Sequence, residues 1–353
     1  MRIKLALLCE DSNYAERLTA GFNNNYNEKL EVYLFSNRDN ILDELVKNRI
    51  DIFLCDAVFD ISQDEVPKRC GFAYLVEEMD ITSVREMAAI CKYQKLEQLY
   101  KAILGIYSEN VSEEFGFKTD ANATKMILFT SAAGGVGTST SAVACAKYLA
   151  ALGRKTLFLS LDVFGSTAIY FSGEGNADFS DILYMLKSRK ANFALKLEST
   201  VCKDASGVYF IQPTENALDM NEMTDDEMMH LVRTIQATGS YEYLIVDIHF
   251  DLSERLLSLL KAAYKVVMVS NGTASANLKC RKAIEALQVM DSQRDEMYSD
   301  KIYILYDAFS SKSGKVMEEH NSRMIGGMPK YENAEAGYIA DKISKLPYFS
   351  KLM

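Results

Sequence analysis

A glycine-rich stretch near the middle of the chain constrains its fold more than any other feature. Residues 130–140 read TSAAGGVGTST, after the apolar segment KMILF and before an alanine-rich segment, 141–152, with helical periodicity. A strand, a glycine loop and a helix in this order form a phosphate-binding loop, in which backbone N–H groups and the helix dipole face one anion. We therefore predict such a loop, with Ser139 placed to hold Mg²⁺ and Thr140 placed to donate to a phosphate.

One position departs from an ordinary phosphate-binding loop. The usual motif has a lysine directly before the Ser or Thr, whereas this chain has Thr138 there. The positive charge that normally reaches the β- and γ-phosphates is therefore missing. On the loop alone, a glycine-rich turn without a ligand stays an open alternative.

The length and the charge of the chain limit its class. With 353 residues it is long enough for two domains, each with a core of its own. The net charge of −10 disfavours broad nucleic-acid binding. The 7 cysteines are dispersed without a C-x-x-C pair, and the first residues read as a strand rather than a signal peptide. Since no segment has the roughly 18 apolar residues of a membrane span, we expect a cytoplasmic protein.

Strand-like and helix-like segments alternate in residues 1–116, which we predict to be the first domain. The predicted strands are 3–9, 30–35, 50–55, 72–76 and 87–91, and the predicted helices are 12–22, 38–48 and 96–107, with Ser12 as the first N-cap. This alternation predicts a parallel sheet with helices on both faces. Glu10, Asp11 and Asp56 follow strands and should meet at one edge of the sheet, where a divalent cation would relieve their repulsion.

This arrangement resembles the receiver domain of response regulators, a flavodoxin-like fold. In that family an acidic pair binds Mg²⁺, the third strand ends in the Asp that accepts a phosphoryl group, and a lysine follows the fifth strand. Glu10 with Asp11, then Asp56, and then Lys92 match these positions. Residues 76–78 lack the small hydroxyl residue that the family has after its fourth strand. An interaction module and a domain phosphorylated on Asp56 both stay open.

A second α/β domain is predicted at 122–353, after a polar and acidic linker at 108–123. Its strands, about seven, are predicted at 125–129, 155–160, 208–211, 241–248, 265–270, 301–306 and 324–328, and its helices at 141–152, 224–236, 276–290 and 332–342. The fourth of these strands is apolar and ends at Asp247, where a carboxylate could hold Mg²⁺ through water. Thr224 and Glu227 have the spacing of a capping box.

Three segments of this domain resemble the ParA/MinD family of P-loop ATPases with a deviant Walker A motif. They are AGGVGTST at 133–140, LDVFG at 161–165, which is similar to switch I, and the strand ending at Asp247, which is similar to Walker B. Together with the receiver-like domain, they are most similar to the TadZ/CpaE branch, which serves tight-adherence (Tad) pilus assembly. The resemblance implies two α/β domains, the second with the ParA/MinD-like P-loop fold.

The resemblance also implies cofactors and roles for individual residues. The cofactors would be ATP or ADP with Mg²⁺. Ser139 would ligate the ion, Asp247 would hold it through water, and Asp162 would position the attacking water. Pro329 would lie beside the adenine. The residues that would wrap the triphosphate are Gly134, Gly135, Val136, Gly137, Thr138, Ser139 and Thr140.

The chain lacks three charged residues of that family. Ala133 and Thr138 replace two lysines, and Ser160 replaces the first acid of switch I. Because cations stabilise the group that is transferred, we predict nucleotide binding with weak or absent hydrolysis. The expected partners are a second copy of the chain and Tad secretion components or a polar landmark protein. We expect no specific nucleic acid, and placement at a cell pole or at the inner membrane face only through partners.

Two alternatives stay open. An active ATPase of the MinD/ParA type, in cell-division or partition positioning, would need a lysine from elsewhere, such as Lys312, Lys315 or Lys330. A phosphorylation-controlled regulator would act through Asp56.

Overall fold

The computed structural model describes residues 2–38, 41–110, 124–175, 177–188, 193–312, 314–318 and 323–353. The chain divides into two compact units, Met1–Phe115 with Arg189–Thr200, and Gly116–Ser188 with Val201–Met353. Both are α/β, as the sequence predicted. The predicted linker at 108–123 lies mostly outside the described residues.

One six-stranded sheet forms the centre of the first unit. Its strands are β1 (Ile3–Leu8), β2 (Leu30–Phe35), β3 (Ile52–Asp56), β4 (Gly71–Val76), β5 (Ser83–Val84) and β6 (Met87–Cys91), and its helices are α1 (Ser12–Tyr26), α2 (Ile41–Lys47), α3 (Leu96–Asn110) and α7 (Phe193–Thr200). The strand order is β2-β1-β3-β4-β6-β5, parallel except between β5 and β6. On one face, Ile41 and Leu45 of α2 pack with Phe53 and Cys55 of β3.

The connections after β3 and β4 differ from the predicted alternation of strands and helices. Between β3 and β4 the chain forms two short 3-10 turns, Ala57–Phe59 and Gln63–Glu65. After β4 it forms the hairpin β5–β6, in which Arg85 and Glu86 have φ of 51° and 67°. Positive φ at both residues gives a tight turn that follows the twist of the strands. Strand β6 therefore reaches its place beside β4 without a crossover helix.

Helix α7 comes from the second half of the sequence but packs in the first unit. It contacts α3, and its Phe193, Leu195 and Leu197 are buried. Its Glu198 carboxylate forms an ion pair with Lys29, directly before β2. Neither this helix nor its place in the first unit was predicted from the sequence.

An eight-stranded sheet forms the centre of the second unit. Its strands are β7 (Lys125–Thr130), β8 (Thr156–Ser160), β9 (Cys202–Lys203), β10 (Tyr209–Phe210), β11 (Tyr243–Asp247), β12 (Lys265–Ser270), β13 (Ile302–Phe309) and β14 (Met324–Pro329). The order is β14-β13-β12-β7-β11-β8-β10-β9, and only the β9–β10 pair is antiparallel. The short edge strand β9 is the one that the sequence did not predict.

Eight helices accompany this sheet in the described part of the second unit. They are α4 (Thr138–Ala151), α5 (Thr167–Tyr170), α6 (Phe179–Ser188), α8 (Ala217–Asn221), α9 (Asp225–Thr238), α10 (Glu254–Ala262), α11 (Ala274–Arg294) and α12 (Ala336–Ile343). The predicted capping box is confirmed, because Thr224 caps α9 and exchanges hydrogen bonds with Glu227. None of the helices in the described ranges combines the length and the apolar character needed to cross a bilayer.

The alanine-rich helix α4 lies deep in the second unit. Ala142, Val143, Ala144 and Cys145 are fully buried, and the helix contacts β7, β8, β11 and α12. Small side chains let a helix approach its neighbours closely, so α4 is held on several sides at once. This packing fixes the position of the glycine loop that precedes it.

Candidate functional site

The glycine loop lies between β7 and α4 and is anchored to the neighbouring strand β12. The Ser131 hydroxyl donates to the carbonyl oxygen of Val269 at 2.6 Å and accepts from the N–H of Ala133 at 3.1 Å. Gly135 and Gly137 have φ of 69° and 85°, which residues with a side chain rarely adopt. Helix α4 has no side-chain N-cap, so its first N–H groups are available to an anion.

Two of the predicted site residues meet directly below this loop. Asp247 lies at the end of β11, close enough to Ser139 in the first turn of α4 for that residue to lower the pKa of its carboxyl. Its side chain is buried, since Asp247 is only 4% exposed. Burial raises the pKa of the Asp247 carboxyl to about 6, with a further increase from the Asp162 carboxylate and an opposing effect of Ser139. A hydroxyl and a carboxylate at the end of a phosphate-binding loop are suitable ligands for Mg²⁺.

Asp162 and Thr140 lie around the same loop with partners of their own. Asp162 lies in the turn after β8, where its carboxylate accepts a hydrogen bond from the N–H of Phe164 at 3.2 Å. The Thr140 hydroxyl lies 2.9 Å from the Tyr170 hydroxyl. Since either hydroxyl of that pair can donate, Thr140 keeps the ability to bond a phosphate.

A third carboxylate at the loop was missed by the sequence analysis. Asp307, near the end of β13, is 5% exposed, and burial raises the pKa of its carboxyl to about 6. A methyl group on Gly137 would lie 1.7 Å from the Asp307 Oδ2 atom, so a larger residue at 137 would displace the Asp307 carboxylate or the loop. An acid at the end of an apolar strand was the signal that revealed Asp247. It was overlooked here because the predicted strand ended at Tyr306, three residues before the end of β13 at Phe309.

Lysines are missing from the loop itself. Ala133 is buried, and Thr138 begins α4. Lys330, one of the alternative cations, lies with its Nζ atom 3.8 Å from Glu332 on the surface. Within the described residues, no group of three His, Cys, Asp or Glu side chains could hold a metal ion alone. A divalent ion would therefore need Ser139 and oxygen atoms of a bound phosphate, while the ion would offset the negative charge of the phosphate and of the carboxylates.

The carboxylate site of the first unit has a different organisation from the predicted one. Asp56 is 3% exposed, its Oδ1 atom lies 2.8 Å from the Nζ atom of Lys92, and its Oδ2 atom accepts from the N–H of Glu10 at 2.9 Å. Lys92 is therefore beside Asp56 as expected. Glu10 contacts Asp56 through its backbone, whereas its side chain is exposed.

The acidic residues predicted to share a cation in the first unit have separate contacts in the structure. Asp11, rather than the predicted Ser12, is the N-cap of α1, and its carboxylate accepts from the N–H groups of Asn13 and Tyr14 at 2.9 and 3.1 Å. No group of three such side chains able to hold a metal occurs in the described part of the unit. Asp11 caps a helix and Lys92 pairs with Asp56, and a cation held by Glu10, Asp11 and Asp56 stays a prediction.

Replacing Asp247 with asparagine is expected to stabilise the protein without nucleotide at neutral pH. The pKa of about 6 in the folded state lies above the ordinary value of 3.8, so the folded protein holds this proton more tightly than the unfolded chain does. The wild type should therefore lose stability as the pH rises from about 4 through 6, by up to ~3 kcal/mol. Urea unfolding on both sides of this range measures the effect. The same loss in the asparagine variant and in the wild type would contradict the assignment.

Two family models match the chain in succession. The model of a TadZ-like receiver domain matches residues 1–108, and the ParA model, described as the NUBPL iron-transfer P-loop NTPase, matches residues 122–294. The second unit is thus a P-loop NTPase of the ParA type. A TadZ-like receiver domain followed by this domain is the architecture of the TadZ/CpaE family, which confirms the family predicted from the sequence.

Solved structures support the fold of the second unit. A ParA family ATPase from Chlorobium tepidum TLS is 19% identical, with 65% of this chain and 96% of that chain covered and a TM-score of 0.50. The MinC:MinD cell division protein complex of Aquifex aeolicus gives 19% identity, the same coverage and a TM-score of 0.51. Similarity at this level shows the ParA/MinD-like fold alone. A comparison with curated proteins gave no significant match.

Proposed function

We propose that the second unit binds ATP or ADP with Mg²⁺ at the glycine loop. The observation that carries this proposal is the buried carboxylate of Asp247 beside Ser139, in the first turn of a helix whose N-terminus has no side-chain cap. The loop N–H groups from Gly134 to Thr140 would hold the phosphates, Ser139 would ligate the ion, and Asp247 would hold it through water. Pro329, at the end of β14, is proposed to lie beside the adenine.

We further propose that nucleotide binding controls assembly, and that the protein does not depend on energy from nucleotide hydrolysis. Thr138 and Ala133 stand where cations would stabilise the transferred phosphoryl group, and the three carboxylates Asp162, Asp247 and Asp307 add negative charge around the loop. Binding depends mainly on backbone amides and the ion, whereas hydrolysis depends on those missing cations. Weak or absent hydrolysis would keep the nucleotide in place.

The cellular role in this proposal rests on the family architecture. The nucleotide-bound form would pair with a second copy of the chain, and this dimer would place or assemble a Tad pilus secretion system, at a cell pole through its partners. Asp162 would position water only if hydrolysis occurs. A regulator controlled by phosphorylation of Asp56 stays the alternative to this role, and the buried Asp56 carboxylate contacts Lys92 and the N–H of Glu10.

Calorimetric titration of the full chain with ATP and Mg²⁺, together with light scattering and a turnover assay, tests the proposal. We expect Mg²⁺-dependent binding, a dimer in the presence of ATP, and negligible turnover. Absence of binding would overturn the nucleotide site. Turnover at rates usual for ParA-type ATPases would favour an active positioning ATPase, in which another cation serves the γ-phosphate.

Replacing Thr138 with lysine is expected to raise ATP turnover by about tenfold or more, because the cation returns to the first turn of α4. Thr138→Met is the matched control, since methionine has a similar length without the charge. Equal turnover in the lysine and methionine variants would show that the missing charge does not limit hydrolysis.

A further inference from the structure

The carboxyl edge of the first-unit sheet exposes several apolar side chains. Val58 follows β3, Met79 and Ile81 follow β4, and Tyr93 follows β6. The exposed fractions of Val58, Met79 and Tyr93 are 63%, 71% and 60%. We call these four residues the strand-end patch. Because β3, β4 and β6 are parallel neighbours, the loops that carry the patch lie side by side.

The loops under the patch are held in place by specific contacts. The Tyr93 ring packs edge-on against Tyr14 of α1, with a distance of 6.1 Å between ring centroids. The N–H of Lys92 donates to the carbonyl oxygen of Val76 at 2.7 Å. Arg85 of the hairpin forms an ion pair with Asp60, which follows the turn that bears Val58. The patch is therefore a defined surface, available without a large loss of conformational entropy on binding.

The surroundings of the patch are acidic. Five exposed carboxylates lie in the loops after β1 and β4, namely Glu10, Asp11, Glu77, Glu78 and Asp80. Among the cations of these loops, Lys92 pairs with Asp56 and Arg85 with Asp60, while Lys95 is exposed two residues after Tyr93 and is outnumbered by the five carboxylates. A surface of this kind attracts a positively charged partner and repels a negatively charged one.

We propose that the strand-end patch is the docking surface for a partner protein, whose contacting segment carries apolar side chains beside lysine or arginine. The apolar part would cover Val58, Met79 and Tyr93, and the basic part would face Glu77 and Glu78. A second copy of the patch and an anionic membrane surface carry the same sign of charge as this face, so both fit it less well. The proposal does not depend on nucleotide binding by the second unit.

The buried Asp56–Lys92 pair has a new role in this interpretation. The Nζ atom of Lys92 lies 2.8 Å from the Oδ1 atom of Asp56, so the pair joins the end of β3 to the loop after β6. Val58 follows the first of these segments, and Tyr93 lies in the second. The pair therefore holds the floor of the docking surface, at the place where a receiver domain would exchange a phosphoryl group.

The test uses the full chain and a fluorescein-labelled peptide that repeats Lys-Leu-Lys-Lys-Leu. Two further peptides serve as controls, one with serine for each leucine and one with glutamate for each lysine. The protein variants are the triple substitution Val58→Ser, Met79→Ser and Tyr93→Ser, and the charge reversal Glu77→Lys with Glu78→Lys. The matched controls are Val46→Ser on α2, which is 61% exposed, and Glu28→Lys, which is exposed after α1.

We expect the Lys-Leu peptide to bind about tenfold or more weakly to either patch variant and within about twofold of the wild type to either control. Circular dichroism confirms that each variant is folded. Equal affinity of the patch variants and the wild type, or of the serine peptide and the leucine peptide, would overturn the proposal. Self-association of the wild type that the triple variant abolishes would overturn it in favour of a second copy. Binding to anionic vesicles through the patch would overturn it in favour of a membrane.

Discussion

Replacing Gly137 with alanine is expected to lower the free energy of unfolding by about 3–5 kcal/mol and to abolish nucleotide binding. Two effects add at this position. The backbone has a φ of 85°, which disfavours any residue with a Cβ atom, and the new methyl group would lie 1.7 Å from the Asp307 Oδ2 atom. The Asp307 side chain, the loop or β13 must then move, and a displaced loop would no longer direct its N–H groups at one anion.

Gly153 provides a control that separates the two effects. It follows α4 with a φ of 77°, and a methyl group there would have no neighbour within 4 Å. Gly153→Ala should therefore show the backbone effect alone, about 1–2 kcal/mol, with nucleotide binding retained. Combining Gly137→Ala with Asp307→Ala should recover part of the loss. Chemical unfolding and calorimetric titration of the four proteins decide the matter, and similar losses for Gly137→Ala and Gly153→Ala would contradict the role of Asp307.

Replacing Lys92 with methionine is expected to destabilise the first unit by about 3–5 kcal/mol at neutral pH. The substitution keeps the length of the side chain but leaves the Asp56 carboxylate buried, 3% exposed, without its counter-charge. The carboxylate would keep its hydrogen bond from the N–H of Glu10. Thermal or urea unfolding, followed by the fluorescence of the tyrosines, measures the loss.

Lys101→Met is the matched control for this substitution. Lys101 lies on α3 and pairs with Glu97, which is 45% exposed, so its loss should change stability by less than about 1 kcal/mol. Adding Asp56→Asn to Lys92→Met should restore most of the stability, because no unpaired charge then remains buried. If the double variant is as unstable as Lys92→Met, packing of the lysine stem rather than charge is responsible.

The sequence revealed the parts of the site that a local pattern encodes. The order of strand, glycines and helix located the loop, and the apolar strand ending in an acid located Asp247. Asp307 has the same signal, but an error of a few residues in the predicted end of β13 hid it. Asp11 and Ser12 are both good N-caps, and the choice between them depends on where the first turn of α1 begins.

Other features depend on contacts that no local pattern contains. Strand β6 was predicted, but its hairpin partner β5 has only two residues, too few for an alternation of apolar and polar side chains. The ion pair between Lys92 and Asp56 could be expected only from the family resemblance. The capping of α1 by the Asp11 carboxylate could not be expected from it. The apolar residues of α7 indicate a buried helix, but not the unit in which it is buried.

The course of the backbone through α7 has a consequence for attempts to separate the two units. The chain passes from the first unit to the second, returns for residues 189–200, and leaves again. After a single proteolytic cut within residues 111–123, we therefore expect the two fragments to stay associated, because the larger one carries the helix that packs on α3. A second fragment produced alone would expose Phe193, Leu195 and Leu197 to solvent. The natural sequence thus contains the basis of a split-protein complementation pair.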